Sequence, residues 1–406
     1  MVEKVIQLRC DCNQYPWGKQ GSKSLAATLC AKTPGTSFKI DENTSYAEMW
    51  MGTYPELPSY VLETGEDLQD VIDKHPDELI GKAVVDKFNH TKLPYLPKVL
   101  SIAKALPLQL HPNKELASKL HAENPSQFTD PNHKPEIALA LGDFEAFCGF
   151  KPLEELALLM KLPPLQGFMP EATKPTFDDQ KLKHVVKAML MASEDTVRKT
   201  NDALMKIPKE EFGASSYIPE MIPRLAEQYK SDNGTLVALV TMNYLKLKAG
   251  ESIYIPADGI HAYLSGDIIE CMARSNNVLN TGFCPRADRD NVDMFCSVLT
   301  FSPHNAKEAI LPPQAFDRSK NGKTQMYAPP LSEFNMLVTT MSAGDSETIG
   351  SLCGPSVMIV TEGEGIMKGN GKEYKLSDGY IFFIGPGVDL EFNATKQLKA
   401  FTAFAE

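Results

Sequence analysis

Ala249-Gly250-Glu251-Ser252-Ile253-Tyr254-Ile255-Pro256 is echoed further along the chain by Asp378-Gly379-Tyr380-Ile381-Phe382-Phe383-Ile384-Gly385-Pro386. In each phrase a glycine makes a tight turn, a short apolar strand follows, and a proline ends the pairing because it lacks an N–H. Short strands regularly spaced by such turns are the pattern of jelly-roll barrels. The sequence upstream of the first phrase agrees. Asn233-Gly234 is a strong turn signal. After it, Leu236-Val237-Ala238-Leu239-Val240 reads as a buried strand, and Tyr244-Leu245-Lys246-Leu247-Lys248 alternates as a half-exposed one.

A stretch of helical periodicity precedes these strands. Leu153, Leu156, Ala157 and Met160 fall at i, i+3, i+4 and i+7 after Pro152, Ile222, Leu225, Ala226 and Tyr229 repeat that spacing, and Leu182 to Met191 is helix-like as well. The first 150 residues mix short apolar runs with turns rich in Gly, Pro, Asn and Asp. The expected fold class is mainly β with an α-helical insertion, built as paired barrels.

The composition sets limits on function. The 406 residues are 43% hydrophobic and 23% charged, and the formal net charge is -11. An acidic surface disfavours nucleic acid and anionic membranes as partners, although a local basic pocket can still take a phosphorylated metabolite. No apolar run approaches the roughly 18 residues of a membrane span, and the N-terminal residues lack the apolar core of a secretory signal. The eight cysteines show no zinc-ribbon or C-x-x-C spacing. Free thiols in a reducing, cytoplasmic setting are expected.

Metal-ligand chemistry is concentrated in three places. In Leu106-Pro107-Leu108-Gln109-Leu110-His111-Pro112, Gln109 and His111 are two residues apart, which on a strand puts both side chains on one face. Asn132-His133-Lys134-Pro135-Glu136 supplies a carboxylate just before the apolar run Ile137 to Leu141, and His261 follows the Ile253 to Pro256 strand across an Asp258-Gly259 turn. Two His and one Glu make a catalytic zinc set, a Gln oxygen adds a fourth ligand, and water keeps a position open. No histidine occurs beyond His304, so a second barrel has no imidazole to offer and one metal centre is expected. The other histidines read as surface or capping residues.

With these residues assembled, the chain resembles the type I mannose-6-phosphate isomerase family. The resemblance rests on Tyr46-Ala47-Glu48-Met49-Trp50-Met51-Gly52-Thr53, Lys98-Val99-Leu100-Ser101-Ile102, Gln109-Leu110-His111-Pro112, Asn132 to Glu136, Phe147-Cys148-Gly149-Phe150-Lys151-Pro152, and His261 to Ala273, in the family's order. It implies paired cupin barrels with a helical insertion, and zinc held by Gln109, His111, Glu136 and His261. The expected division is 1–151 and 233–320 for the zinc-binding barrel, 152–232 for the helices and 321–406 for a barrel without metal. It also implies interconversion of mannose 6-phosphate and fructose 6-phosphate by proton transfer between C1 and C2, so the expected partner is a phosphorylated sugar. Lys98 and Lys134 match positions associated with the substrate and its phosphate. Glu48, Tyr263 and Glu270 match pocket positions, and Trp17 matches a tryptophan near the mouth.

The sequence departs from the family at chemically important positions. The family's S-D-N-x-x-R-A-G is here Ser275-Asn276-Asn277-Val278-Leu279-Asn280-Thr281-Gly282, so Asn280 replaces the arginine assigned to catalysis and Asn276 replaces an aspartate. Pro107 stands where a serine is usual, Tyr54 where a histidine is, and Arg286 where a lysine is. Asn cannot reproduce the permanent charge and five fixed donors of a guanidinium. Two alternatives to a working isomerase follow from these changes: a zinc cupin enzyme acting on a different substrate, and a non-catalytic sugar-phosphate binder.

Overall fold

A computed structural model describes residues 2–170 and 176–406. Residues 171–175, inside the stretch expected to be helical, lie outside the described residues. The backbone is mainly β and forms two cupin-type barrels with a helical layer on the first. Its principal sheets have ten, eight and four strands.

The ten-stranded sheet is organised by the strand His261–Ala273, which changes partner midway. Its first residues pair with Phe144–Phe150, while Gly266 to Ala273 pair with Tyr95–Ile102. Gly266 sits at the switch with φ of +124°, and a Cβ there would lie 2.6 Å from the Asp143 carbonyl oxygen. Only glycine fits so close a backbone approach in that conformation. The switch lets one strand carry His261 at one end and Glu270 at the other. Tyr95–Ile102 is buried along its whole length, including Lys98 and Ser101, as expected of a strand covered on both faces.

The eight-stranded sheet holds the C-terminal strands, among them Ser356–Glu362, Ile381–Ile384 and Leu398–Phe404. Two strands from the start of the chain join it. Val5–Arg9 pairs with Ile381–Ile384 on one side and with Tyr60–Val61 on the other. One apolar cluster, including Leu8, Val99, Ile137, Ile269, Phe383 and Phe401, lies between the two barrels and packs them together.

The helical layer contains Leu153–Leu159, Asp179–Met191, Glu194–Leu204 and Ile218–Gln228. Asp178 and Ser193 cap two of these helices by accepting a backbone N–H through their side chains. One reading needs correction. Leu236 to Val240 is not a strand, because Asn233–Leu236 is α-helical and Val237–Thr241 continues as π-helix. The run is wholly buried against the other helices, and a short buried apolar run has the same appearance in either conformation. The Asp232 carboxylate accepts the Gly234 N–H and caps the helix. Asn233-Gly234 therefore starts a helix instead of turning the chain into a strand.

Candidate metal centre

Three buried side chains from separate parts of the sequence converge in the first barrel. Glu136 opens the strand Glu136–Ala140, His261 opens His261–Ala273, and His111 follows Leu108–Leu110. Their ligating atoms all lie within 4.8 Å of one another. His261 Nε2 is 3.2 Å from Glu136 Oε1, and His111 Nε2 is 3.7 Å from Oε2. Gln109 stands in register opposite His261 on one side and Asn280 on the other.

The hydrogen bonds around the rings fix their tautomers. His111 Nδ1 is 2.7 Å from the Asn277 carbonyl oxygen, and His261 Nδ1 is 3.0 Å from the Gly259 carbonyl oxygen. A carbonyl only accepts, so each Nδ1 carries the proton and each Nε2 presents its lone pair to the centre. Both Nε2 atoms are buried without a hydrogen-bond partner. Leaving such an atom unsatisfied costs about 1–3 kcal/mol, whereas a cation would satisfy both. Ligands about 2.0–2.1 Å from a tetrahedral zinc lie roughly 3.3 Å apart, close to the spacings here. Tyr263 donates its hydroxyl to Glu136 Oε1 at 2.8 Å, completing the outer shell that orients metal ligands. The residues therefore fit a divalent metal with nitrogen and oxygen ligands.

Electrostatics support the same reading. Burial, reinforced by the Lys134 ammonium, pushes His111 well below its ordinary value and keeps the ring neutral. Burial alone would raise Glu136, but His261, His111 and Lys134 outweigh it and hold the carboxyl below the usual range. Among the described residues this is the one cluster of three or more His, Cys, Asp or Glu arranged to share an ion.

A buried ion network lies beside it. Lys98 is in register with Glu270 on one neighbouring strand and Trp50 on the other. Its Nζ is 2.9 Å from Glu270 Oε2, 3.4 Å from Glu48 Oε2, and 5.0 Å from the Trp50 ring centroid. The indole of Trp50 donates to Glu48 at 2.6 Å. Burial lowers Lys98, yet Glu270 and Glu48 together raise it above the usual lysine range. Burial raises Glu270 against the pull of Lys98. Lys134, partly exposed, is lowered by burial of its ammonium and by Lys98.

The mouth is a cavity of about 760 Å³ lined by Trp17, Lys104, Pro107, Tyr229, Asn280 and Arg286, among others. It starts next to the candidate ligands, since Pro107 is two residues before Gln109 and Asn280 pairs with Gln109. Trp17 stacks on Tyr15 at the rim. Arg286 is exposed and its guanidinium pairs with Glu194, at 2.9 Å from Nη2. Asn276 is exposed, and its backbone N–H donates to Asp130. The buried neighbour Asn277 is the one that meets the metal centre, through its carbonyl. Sequence reading missed Asn277 and Gly259, because a backbone carbonyl leaves no trace in residue type.

Comparison with known proteins completes the picture. Residues 5–153 match the family model described as phosphomannose isomerase type I, catalytic domain. The chain is 38% identical to the mannose-6-phosphate isomerase of Saccharomyces cerevisiae, over all of this chain and 98% of that protein. It is 37% identical to that of Schizosaccharomyces pombe, over 99% of this chain and 100% of that one. Among solved structures, mannose 6-phosphate isomerase bound with zinc and yttrium aligns with a TM-score of 0.81 at 25% identity, and both chains are covered in full. The apo form from Salmonella typhimurium aligns at 0.82 with 24% identity, again over both full chains, and shares the fold. Among the described residues no helix is long and apolar enough to cross a membrane.

Proposed function

This chain belongs to the mannose-6-phosphate isomerase family, and on that premise we propose that it interconverts mannose 6-phosphate and fructose 6-phosphate at a zinc ion held by Gln109, His111, Glu136 and His261. The observation that carries this reading is the pair of buried imidazoles whose unpartnered Nε2 atoms face one carboxylate. Bound there, zinc supplies a Lewis acid for the sugar oxygens that gain negative charge as the proton moves.

The remaining chemistry falls to the chain's own groups. A proton leaves C2 of the aldose and returns at C1 of the ketose, while a hydroxyl proton is lost from O2 and one is gained at O1, so that the carbonyl passes from C1 to C2. A base for that step works best with a pKa near the working pH. Glu270, raised by burial and held by Lys98, is a carboxyl group tuned in that direction. Lys134, with its lowered ammonium, gives and takes a proton at a substrate oxygen. Glu48 and Tyr263 hold the inner groups in place. Trp17 walls the mouth, Lys134 brings positive charge toward a phosphorylated sugar, and Lys98 and Arg286, each already paired with carboxylates, position the groups around it.

Asn276 and Asn280 carry hydrogen-bonding groups where the family pattern has charges, so turnover is expected to be low. Loss of one preorganised electrostatic stabiliser costs about 10²–10³ in rate. The test is steady-state turnover of the zinc-loaded chain beside the double change Asn276→Asp, Asn280→Arg. Groups that act as a unit are fairly rescued only together. A weak parent and a gain of about 10² or more in the double variant are expected. A parent turnover of about 1–10³ per second would contradict the roles given to these positions. A dead parent with an equally dead double variant would favour the second reading, a different substrate or non-catalytic binding, for which Pro107 and Asn280 at the mouth are the motivating observation.

A further inference from the structure

The mouth cavity has four cations on its lining, Lys104, Lys230, Arg286 and Arg289, against three carboxylates, Glu194, Asp232 and Asp288. It is thus locally positive in a chain whose net charge is -11. Two of the cations are engaged. Arg286 pairs with Glu194, and Arg289 pairs with Asp232 and donates to the Cys284 carbonyl. Lys230 is exposed just past the end of the helix Ile218–Gln228.

Lys104 differs from the other three. Its Nζ lies over the ring of Tyr229 at 4.0 Å from the centroid, and it forms no ion pair among the described residues. The backbone on both sides is pinned. The N–H groups of Ala103 and Lys104 donate to the Trp17 carbonyl at 3.0 and 3.2 Å. The Ala105 N–H donates to Gln228 Oε1 at 2.9 Å, and the Tyr229 hydroxyl donates to the Ala105 carbonyl at 2.7 Å. Tyr229 in turn rests on Phe283, at 5.6 Å between centroids. A lysine ordinarily loses much rotamer freedom when it binds an anion. Here a ring face holds it in advance, and no carboxylate must be displaced.

From this geometry we infer that Lys104, seated on Tyr229, is the cation that receives the anionic end of the substrate. The inference rests on the isomerase reading and adds to it the residue that reads the phosphate. Its placement suits a six-carbon sugar phosphate, whose reacting carbons and phosphate are at opposite ends. Pro107, three residues after Lys104, is two strand residues from Gln109, a span of about 6.6 Å. Lys104 lines the same cavity as Pro107 and as Asn280, the strand partner of Gln109, so a ligand reaching out from the metal centre enters the space that Lys104 borders.

Calorimetric binding of fructose 6-phosphate and of fructose to the zinc-loaded chain, with Lys104→Gln and Lys104→Arg in parallel, tests this directly. Lys104→Gln is expected to weaken fructose 6-phosphate binding about tenfold, the loss of one charge-assisted contact. Lys104→Arg should stay within about threefold of the parent, since it keeps the charge and the ring stacking. The parent's preference for fructose 6-phosphate over fructose should shrink in Lys104→Gln and persist in Lys104→Arg, a pattern that general damage to the fold would not give. Parent binding with Lys104→Gln unchanged would overturn this inference and leave the isomerase reading standing. A parent that binds neither fructose 6-phosphate nor mannose 6-phosphate at millimolar concentration would overturn both.

Discussion

Replacing Lys98 by methionine removes the only cation in contact with two buried carboxylates among the described residues. Lys98 is 5% exposed, Glu270 5% and Glu48 8%, with ammonium-to-carboxylate distances of 2.9 and 3.4 Å. At an effective dielectric near 20, unit charges about 4 Å apart attract by about 4 kcal/mol. Desolvation of all three groups takes back much of that. What the substitution exposes is the other half of the balance, two carboxylates stranded out of water. Breaking a buried pair in this way costs about 3–5 kcal/mol. Glu270 already sits above its ordinary value through burial, with Lys98 as the largest opposing influence. Without Lys98 it moves further up. A carboxyl group raised on folding weakens stability as pH rises through its unfolded value near 4.5 and on toward the folded one. The gap between parent and Lys98→Met should therefore be small at acid pH and widen toward neutrality. Urea unfolding at fixed zinc concentration measures it, with Lys98→Met/Glu270→Gln alongside. The double variant should recover about 1–3 kcal/mol of the loss by removing one stranded charge. A single variant that costs less than about 1 kcal/mol at neutral pH, a value typical of exposed pairs, would refute the view of Lys98 as the buried counter-charge.

Two further expectations concern groups nearby. Tyr263→Phe removes the hydroxyl that steadies Glu136, and loss of such an outer-shell partner should weaken zinc affinity about 10–100-fold in a chelator competition. Unchanged affinity would mean that Glu136 needs no such support. Glu145 is held down to about 2 because, although burial raises it, hydrogen bonds from Arg224, Ser265 and Tyr244 prevail. Its contribution to stability is present above the unfolded value near 4.5 and lost as pH falls toward about 2. Glu145→Gln should therefore be less stable than the parent at neutral pH, with the difference closing in acid. A difference independent of pH would point to packing instead of charge.

What the sequence made legible follows from the range of the interactions involved. The helices around Leu156, Val186 and Leu225 and the strands Ser252–Ile255 and Ile381–Ile384 are set by local periodicity and by glycine and proline at their ends. Periodicity could not decide Leu236 to Val240, because burial on every side erases the difference between a strand and a helix. The pairing of Val5–Arg9 with Ile381–Ile384 joins residues nearly a chain length apart, and nothing local announces it. At the candidate metal centre, ligand chemistry in the sequence singled out the His and Glu side chains that the fold brings together. Their supports are the Asn277 and Gly259 carbonyls, which any residue could supply. The mouth shows the same limit from another side. Arg286 matched a family position, yet its pairing with Glu194 depends on where the helix Glu194–Leu204 is laid down. Lys104 matched nothing, and its distinction comes wholly from the ring beneath it.

Metal content of the purified full chain, equilibrated with zinc and then desalted, tests the central claim most directly. Two imidazole ligands, one carboxylate and Gln109 should retain about one zinc ion per chain. His111→Ala and His261→Ala, each leaving an incomplete set, should lose stoichiometric zinc, while Cys353→Ser, which alters an exposed free thiol outside the His111–Glu136–His261 cluster, retains it. Full zinc occupancy in both histidine variants would contradict the assignment of these residues as ligands.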